Sequence, residues 1–239
     1  MIAMGSPYFR FKQFTVWHDR CAMKVGTDGV LLGAWADVES DRKILDVGTG
    51  SGIVALMALQ RNADARVVAL DIDSDAVAQT RRNADNTPWC ERVTAVCSDV
   101  AEYESDIKFD HILSNPPYFV ESTHSPNSQR DKARNVESLP FEVLVKSAER
   151  LLRRGGRLTV ILPTECAALF RRVAFERLWL SRLCLVHTVD GDTPKRTLME
   201  FTLTDVPLMP RTEELTIQHR GGDYTANYMA LTKDFYLNF

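Results

Sequence analysis

The sequence predicts an α/β fold: a mostly parallel seven-stranded sheet with helices on both faces and an antiparallel C-terminal hairpin. Short apolar runs alternate with helix-like segments from residue 43 to residue 178. Runs that are apolar throughout belong to strands covered on both faces, as in parallel sheets with crossover helices. The last two runs have a turn between them in place of a helix, so they pair in opposite directions.

The elements follow in order. The first strand is 43–48 (KILDVG), and 53–62 (IVALMALQRN) has the length and composition of a helix. The second strand is 65–72 (ARVVALDI). Segment 74–86 (SDAVAQTRRNADN) reads as a helix with spaced alanines, opened by Ser74 as N-cap. Strands three and four are 92–98 (RVTAVCS) and 109–114 (FDHILS). Segment 138–154 (SLPFEVLVKSAERLLRR) is an amphipathic helix closed by Gly155 and Gly156. The fifth strand is 156–163 (GRLTVILP), followed by a helix over 164–178. The hairpin strands are 179–190 and 196–205, joined by 191–195 (GDTPK).

One stretch breaks the alternation. Residues 119–137 (FVESTHSPNSQRDKARNVE) show little apolar periodicity. Structureless segments of this length are uncommon inside compact domains and are often functional, so a mobile lid loop is expected there.

The chain of 239 residues suits one domain, 1–239, with residues 1–40 as an N-terminal cap segment too short to fold separately. No apolar run approaches the roughly 20 residues that span a bilayer, and the N-terminus lacks the apolar core of a secretory leader. A cytoplasmic protein is expected, with no membrane partner. Five cysteines without a CxxC pair, and five histidines without ligand spacing, argue against a disulfide frame and against a metal site. The net charge of −3 hides an asymmetry: residues 130–200 carry 14 Lys or Arg against 9 Asp or Glu. A phosphate-binding face is therefore compatible with an acidic remainder.

The first strand runs into LDVGTGSG, with Asp46, Gly48, Gly50 and Gly52. Glycines at a strand-to-helix turn let backbone approach a nucleotide cofactor closely. The GxGxG spacing departs from the GxGxxG of dinucleotide enzymes. Asp71 ends the second strand, where a carboxylate can accept hydrogen bonds from both ribose hydroxyls. Asp99 ends the third, in reach of an adenine amino group; either acid can also serve as a loop cap. The series DVGTGSG, LDID and SDV resembles the Rossmann-like class I S-adenosylmethionine-dependent methyltransferases. That resemblance implies S-adenosyl-L-methionine as cofactor, with Gly48 and Gly50 beside its methionine and ribose, Asp71 on the ribose and Ile72 against its adenine.

The fourth strand stops against Asn115, Pro116, Pro117 and Tyr118. A sulfonium methyl needs an in-line nucleophile, and a planar amine is a poor one because its lone pair is delocalised. Two acceptors for its hydrogens would keep that lone pair aimed. Asn115 offers a side-chain carbonyl, Pro116 a backbone carbonyl, and Pro117 restricts the local backbone. This is fixed-dipole stabilisation combined with positioning. Tyr118 can stack on a flipped-out base. The set suits adenine N6, cytosine N4, a guanine amino group or a glutamine amide.

Residues 11–36 (FKQFTVWHDRCAMKVGTDGVLLGAWA), with NPPYF, PKRTLMEF and the terminal YMALTKDFYLNF, are similar to the bacterial tRNA1(Val) (adenine(37)-N6)-methyltransferases over nearly the whole chain. The resemblance implies a tRNA substrate methylated beside the anticodon. The alternatives are an N5-glutamine protein methyltransferase and a guanine-N2 RNA methyltransferase. Thr27, Asp28 and Gly29 form a polar turn before an apolar helix, with Asp28 either capping it or closing over the cofactor. Phe14 and Trp17 suit core packing or stacking. Lys195 and Arg196 in the hairpin turn, and Arg130, Lys132 and Arg134 in the lid, are the candidate phosphate contacts. The chain is expected to act as a monomer.

Overall fold

The computed structural model describes residues 6–21, 24–116 and 140–239. Pro117, Tyr118, Arg130, Lys132, Arg134 and the expected lid at 119–137 lie outside the described residues.

A short antiparallel ribbon comes first, β1 (Tyr8–Arg10) with β2 (Thr15–Trp17). Helix α1 (Thr27–Trp35) leads to β3 (Lys43–Val47), α2 (Ile53–Arg61), β4 (Arg66–Asp71), α3 (Ser74–Asp85) and β5 (Val93–Cys97). Then come β6 (Phe109–Ser114), α4 (Phe141–Leu151), β7 (Leu152–Pro163) and α5 (Thr164–Ala174). The chain closes with β8 (Trp179–Val189), β9 (Arg196–Thr202), β10 (Arg211–Gln218) and α6 (Ala226–Thr232).

The main sheet has eight strands in the order β10-β8-β9-β7-β6-β3-β4-β5. The five strands from β7 to β5 are parallel, and β9 lies antiparallel between β7 and β8. The seven predicted strands and the hairpin are all present. The eighth, β10, pairs parallel with β8 at the sheet edge. Its first four residues are exposed and charged or polar, and only Leu215 is buried, so it lacks the apolar run that marks the others.

Side chains alternate across the sheet with period two. Ile44 and Leu113 join the core under α1 and α2, whereas Leu45 and Ile112 join the core under α4 and α5. Asp46 faces the α1–α2 side by the same alternation. No helix among the described residues is long and apolar enough to cross a membrane.

Two predicted boundaries move. Asp73, not Ser74, caps α3, its carboxylate accepting the Asp75 N–H at 2.8 Å. Helix α4 ends at Leu151, and Gly155 and Gly156 belong to β7 instead of closing the helix. Leu152 is already extended, at φ −72° and ψ 149°. Gly155 has φ +75°, and a Cβ on Gly156 would stand 3.0 Å from the Phe109 carbonyl oxygen. The glycines thus serve close strand packing, beside a register shift in the β6–β7 pairing.

Candidate active site

The carboxyl ends of the parallel strands carry the predicted residues. After β3 the chain turns through Gly48, Gly50 and Gly52, all at positive φ. A Cβ on Gly48 or Gly50 would meet nothing within 4 Å. The left-handed backbone therefore selects glycine there, and the space beside it stays open to a ligand. The Gly48 and Thr49 N–H groups both donate to the Leu70 carbonyl, at 2.9 and 3.0 Å.

Asp71, at the end of β4, braces this turn. Its Oδ2 accepts the Gly50 N–H at 2.8 Å and its Oδ1 the Asp73 N–H at 3.0 Å. Burial raises the Asp71 carboxyl above its ordinary range, against those backbone donors. The next residue, Ile72, is 70% exposed, an apolar surface left open beside the carboxylate. Asp99 is half-buried two residues beyond β5, and its Oδ1 accepts the Ala101 N–H at 2.8 Å. The loop-capping role allowed by the sequence is thus realised at Asp99, with its second oxygen left over.

Asp46 is buried below the turn, its Oδ2 accepting the Thr49 hydroxyl at 2.7 Å. Burial pushes its carboxyl up to about 7, although the Thr49 hydroxyl and the Ala55 N–H pull the other way.

Helix α3 locks the turn from outside. Thr80 Oγ1 donates to the Gly50 carbonyl at 2.9 Å. Asn83, fully buried, donates to the Ser51 and Trp17 carbonyls, both at 2.8 Å, and accepts the Trp17 N–H at 2.9 Å. Sequence reading missed both residues. Polar side chains recurring on the face of α3 that also carries Ala76 and Ala84 were the available signal.

Asn115 follows β6 directly and is half-buried; Pro116 is buried. Asn115 and the glycine turn border one cavity of about 560 Å³. Its floor includes Asp46, Gly48, Gly50 and Asn115, and continues along the sheet to Lys195, Thr188 and Ile217. Its roof is the segment from Lys24 to Leu31. Thr27, Asp28 and Gly29, expected as a turn before the helix, are instead the first residues of α1, and they border the hollow together with the glycines. Asp71, Ile72 and Asp99 lie outside this hollow, at the ends of the next two strands.

Of the predicted phosphate contacts, Lys195 is exposed at the cavity wall. Arg196 also borders it, but its Nε lies 2.8 Å from Asp28 Oδ2, in an ion pair. Asp28 is not the cap of α1; that position is Gly26, without a side-chain hydrogen bond. Phe14 is core, stacked on Phe11 with ring centres 4.8 Å apart. Trp17 packs against Tyr8 and beneath the Arg82 guanidinium. Among the described residues no group of three or more His, Cys, Asp or Glu side chains could hold a metal ion.

The open glycine turn, with the Asp71 carboxylate and the exposed Ile72 beside it, fits a nucleoside cofactor, and Asn115 borders the hollow that the glycine turn lines. Residues 23–169 match the family model described as methyltransferase small domain. The chain is 47% identical to the tRNA1(Val) (adenine(37)-N6)-methyltransferase of Bacteroides thetaiotaomicron over 237 residues, 98% of this chain and 99% of that protein. It is 48% identical to the enzyme of the same description from Phocaeicola vulgatus, over 98% of this chain and all of that protein. Among solved structures, a protein described as a predicted O-methyltransferase from Agrobacterium tumefaciens superposes with a TM-score of 0.70 at 21% identity. That superposition covers 87% of this chain and 96% of the other, and shows a shared fold.

Proposed function

The chain belongs to the bacterial tRNA1(Val) (adenine(37)-N6)-methyltransferase family, within the methyltransferase small domain group, and from that premise we propose how its residues divide the work. The protein is an S-adenosylmethionine-dependent methyltransferase that methylates N6 of an adenine in tRNA, at position 37 of tRNA1(Val). S-adenosyl-L-methionine, when bound, supplies an electrophilic methyl group on a sulfonium. Asp46, Gly48, Gly50 and Gly52 form the bed for its methionine and ribose. Asp71 takes the ribose, Ile72 and Asp99 the adenine, and Asn115 borders the reacting end.

Asn115 Oδ1 and the Pro116 carbonyl accept the two hydrogens of the substrate amine. This holds the nitrogen lone pair toward the methyl carbon and stabilises the positive charge that grows on nitrogen. With the methyl donor bound, the nitrogen so held would lie in line for transfer, and once methylated it would release its proton to solvent. No strong base is needed for that loss. Pro117 fixes the acceptor geometry and Tyr118 stacks on the base. Lys195 contacts RNA phosphate, together with Arg130, Lys132 and Arg134 of the 119–137 lid. Arg196 serves that contact from within its ion pair with Asp28. Residues 1–239 act as one domain, monomeric and cytoplasmic, with 1–40 as its cap.

The observation that carries this division is the shared cavity: Asn115 borders the same hollow as Gly48 and Gly50. The test is methyl transfer to tRNA1(Val) transcripts carrying adenine or guanine at position 37. Transfer to the first alone is expected. Equal labelling of both would remove adenine 37 as the target.

A further inference from the structure

The cavity extends well past the position of Asn115. The glycine turn lies at β3 and Asn115 at the neighbouring β6, whereas Thr188 is on β8 and Ile217 on β10. With strands about 4.8 Å apart, the four steps from β6 to β10 span about 19 Å. A single planar base held at Asn115 leaves the β8–β10 end of the hollow unfilled.

That end has its own composition. Val25, from the roof, and Ile217, from the floor, are both half-buried at the margin of the core and both line the hollow. Thr188 and Lys195, both exposed, border them. The edge strand that supplies Ile217 is firmly anchored. Leu215 is buried, and the Thr225 hydroxyl, which caps α6, donates to the Thr216 carbonyl. Trp35 Nε1 donates to Glu213 at 2.5 Å.

We infer that this end is a second nucleotide subsite, which takes the base next to the target adenine in a single-stranded RNA loop. Val25 and Ile217 pack against the base, Thr188 Oγ1 meets its polar edge, and Lys195 takes the phosphate between the two nucleotides. Once the target adenine leaves its stack, the adjacent base loses a stacking partner, and an apolar wall replaces it. Bases taken out of their stack are held between aromatic or apolar side chains with hydrogen bonds to their edges, and basic side chains take the backbone. The inference rests on the tRNA-methylation reading of the same cavity.

The test uses synthetic anticodon stem-loops with the target adenine, either intact or with an abasic residue on its 5′ or 3′ side. Wild type and Ile217→Ala are compared, and S-adenosylmethionine affinity is measured separately by calorimetry. For the wild type, one of the two abasic loops is expected to raise KM about tenfold with kcat within about twofold. For Ile217→Ala, the intact loop already shows the raised KM and the abasic residue adds little, so the two losses are not additive. Thr188→Val, at an exposed position, is expected to change which neighbouring base gives the lowest KM.

Fully additive losses, or no loss from either abasic loop, would overturn the subsite. An unchanged base preference in Thr188→Val would overturn the edge contact. A matching loss of S-adenosylmethionine affinity in Ile217→Ala would make Ile217 a cofactor wall instead, and overturn the proposal. Failure of the wild type to methylate the intact loop would overturn the tRNA reading itself, and the subsite with it.

Discussion

Asp28 and Arg196 lie 168 residues apart in the chain and meet at 2.8 Å, carboxylate to guanidinium, where both border the cavity. Asp28 opens α1 in the roof, and Arg196 begins β9 in the floor. The pair therefore ties the cap segment to the sheet over the reacting end. Removing one member breaks that tie.

Arg196→Gln is expected to lower kcat/KM for tRNA about tenfold. The side chains are 32% and 22% exposed, so solvent screening limits the stability loss to about 1 kcal/mol. A double variant, Asp28→Arg with Arg196→Asp, is expected to recover part of both. Steady-state kinetics and thermal melts check this. Single variants as active as wild type would show that the tie has no part in catalysis.

The Asp46 carboxyl titrates near 7, against an ordinary value of about 4. Between those values the folded chain holds a proton that the unfolded chain releases. Asp46 therefore makes folding less favourable as pH rises through this window, and its contribution is constant above it. A cationic ligand prefers the ionised carboxylate, so binding releases the proton. S-adenosylmethionine affinity is expected to rise about tenfold from pH 6 to pH 8 in wild type and to stay flat in Asp46→Asn. Calorimetry in buffers of different ionisation heat measures the proton directly. An equal pH response in Asp46→Asn would assign the titration elsewhere.

Asn83 makes three hydrogen bonds from a fully buried position, joining the cap segment at Trp17 to the cofactor turn at Ser51. Asn83→Asp replaces the donor to two carbonyls with an oxygen. Each unsatisfied buried group costs about 1–3 kcal/mol. S-adenosylmethionine affinity should fall about tenfold or more, with a lowered melting temperature. Unaltered affinity in a destabilised variant would make Asn83 a purely structural tie.

His111 is buried within β6, with Nδ1 2.8 Å from Asp41 Oδ2 and Nε2 2.7 Å from Thr159 Oγ1. Arg157 meets the same Asp41 carboxylate at 2.9 Å. Asn115 lies four positions beyond His111, about 13 Å along an extended strand. His111→Phe is accordingly expected to cost about 2–3 kcal/mol of stability while S-adenosylmethionine affinity stays within about twofold. Denaturant unfolding and calorimetry separate the two effects. A stable but inactive variant would give this histidine a part in the reaction.

The parts of the fold that were legible in the sequence are those built from local pattern. The runs around Ile44, Ile112 and Val160 are largely apolar because helices cover both faces of their strands. The hairpin of β8 and β9 followed from a turn with no helix beside it. Strand β10 escaped notice because its outer residues face water, so its identity depends on pairing with β8. Gly155 and Gly156 resemble a helix terminus locally, and their backbone bonds to Leu203 hold both in the sheet.

For the site, Asp46, Gly48, Gly50, Asp71 and Asn115 announce themselves at strand ends. Arg196 was read from the sequence as a phosphate contact alone, whereas it pairs with Asp28 at the cavity. Its ion pair joins elements from opposite ends of the chain, which no local pattern encodes. Ile217 escaped for the same reason, whereas Asn83 left a local trace in the polar face of α3.

The central claim is that the Asn115 carboxamide holds an adenine amino group in tRNA for methylation. Its most direct test incubates methyl-deuterated S-adenosylmethionine with unmodified total tRNA and either wild type or Asn115→Ala, followed by nucleoside mass spectrometry. Labelled N6-methyladenosine is the expected wild-type product. In Asn115→Ala its rate should fall about 10²- to 10³-fold, with S-adenosylmethionine affinity within about threefold. Label in a methylguanosine or in protein, or an undiminished rate in Asn115→Ala, would contradict the account.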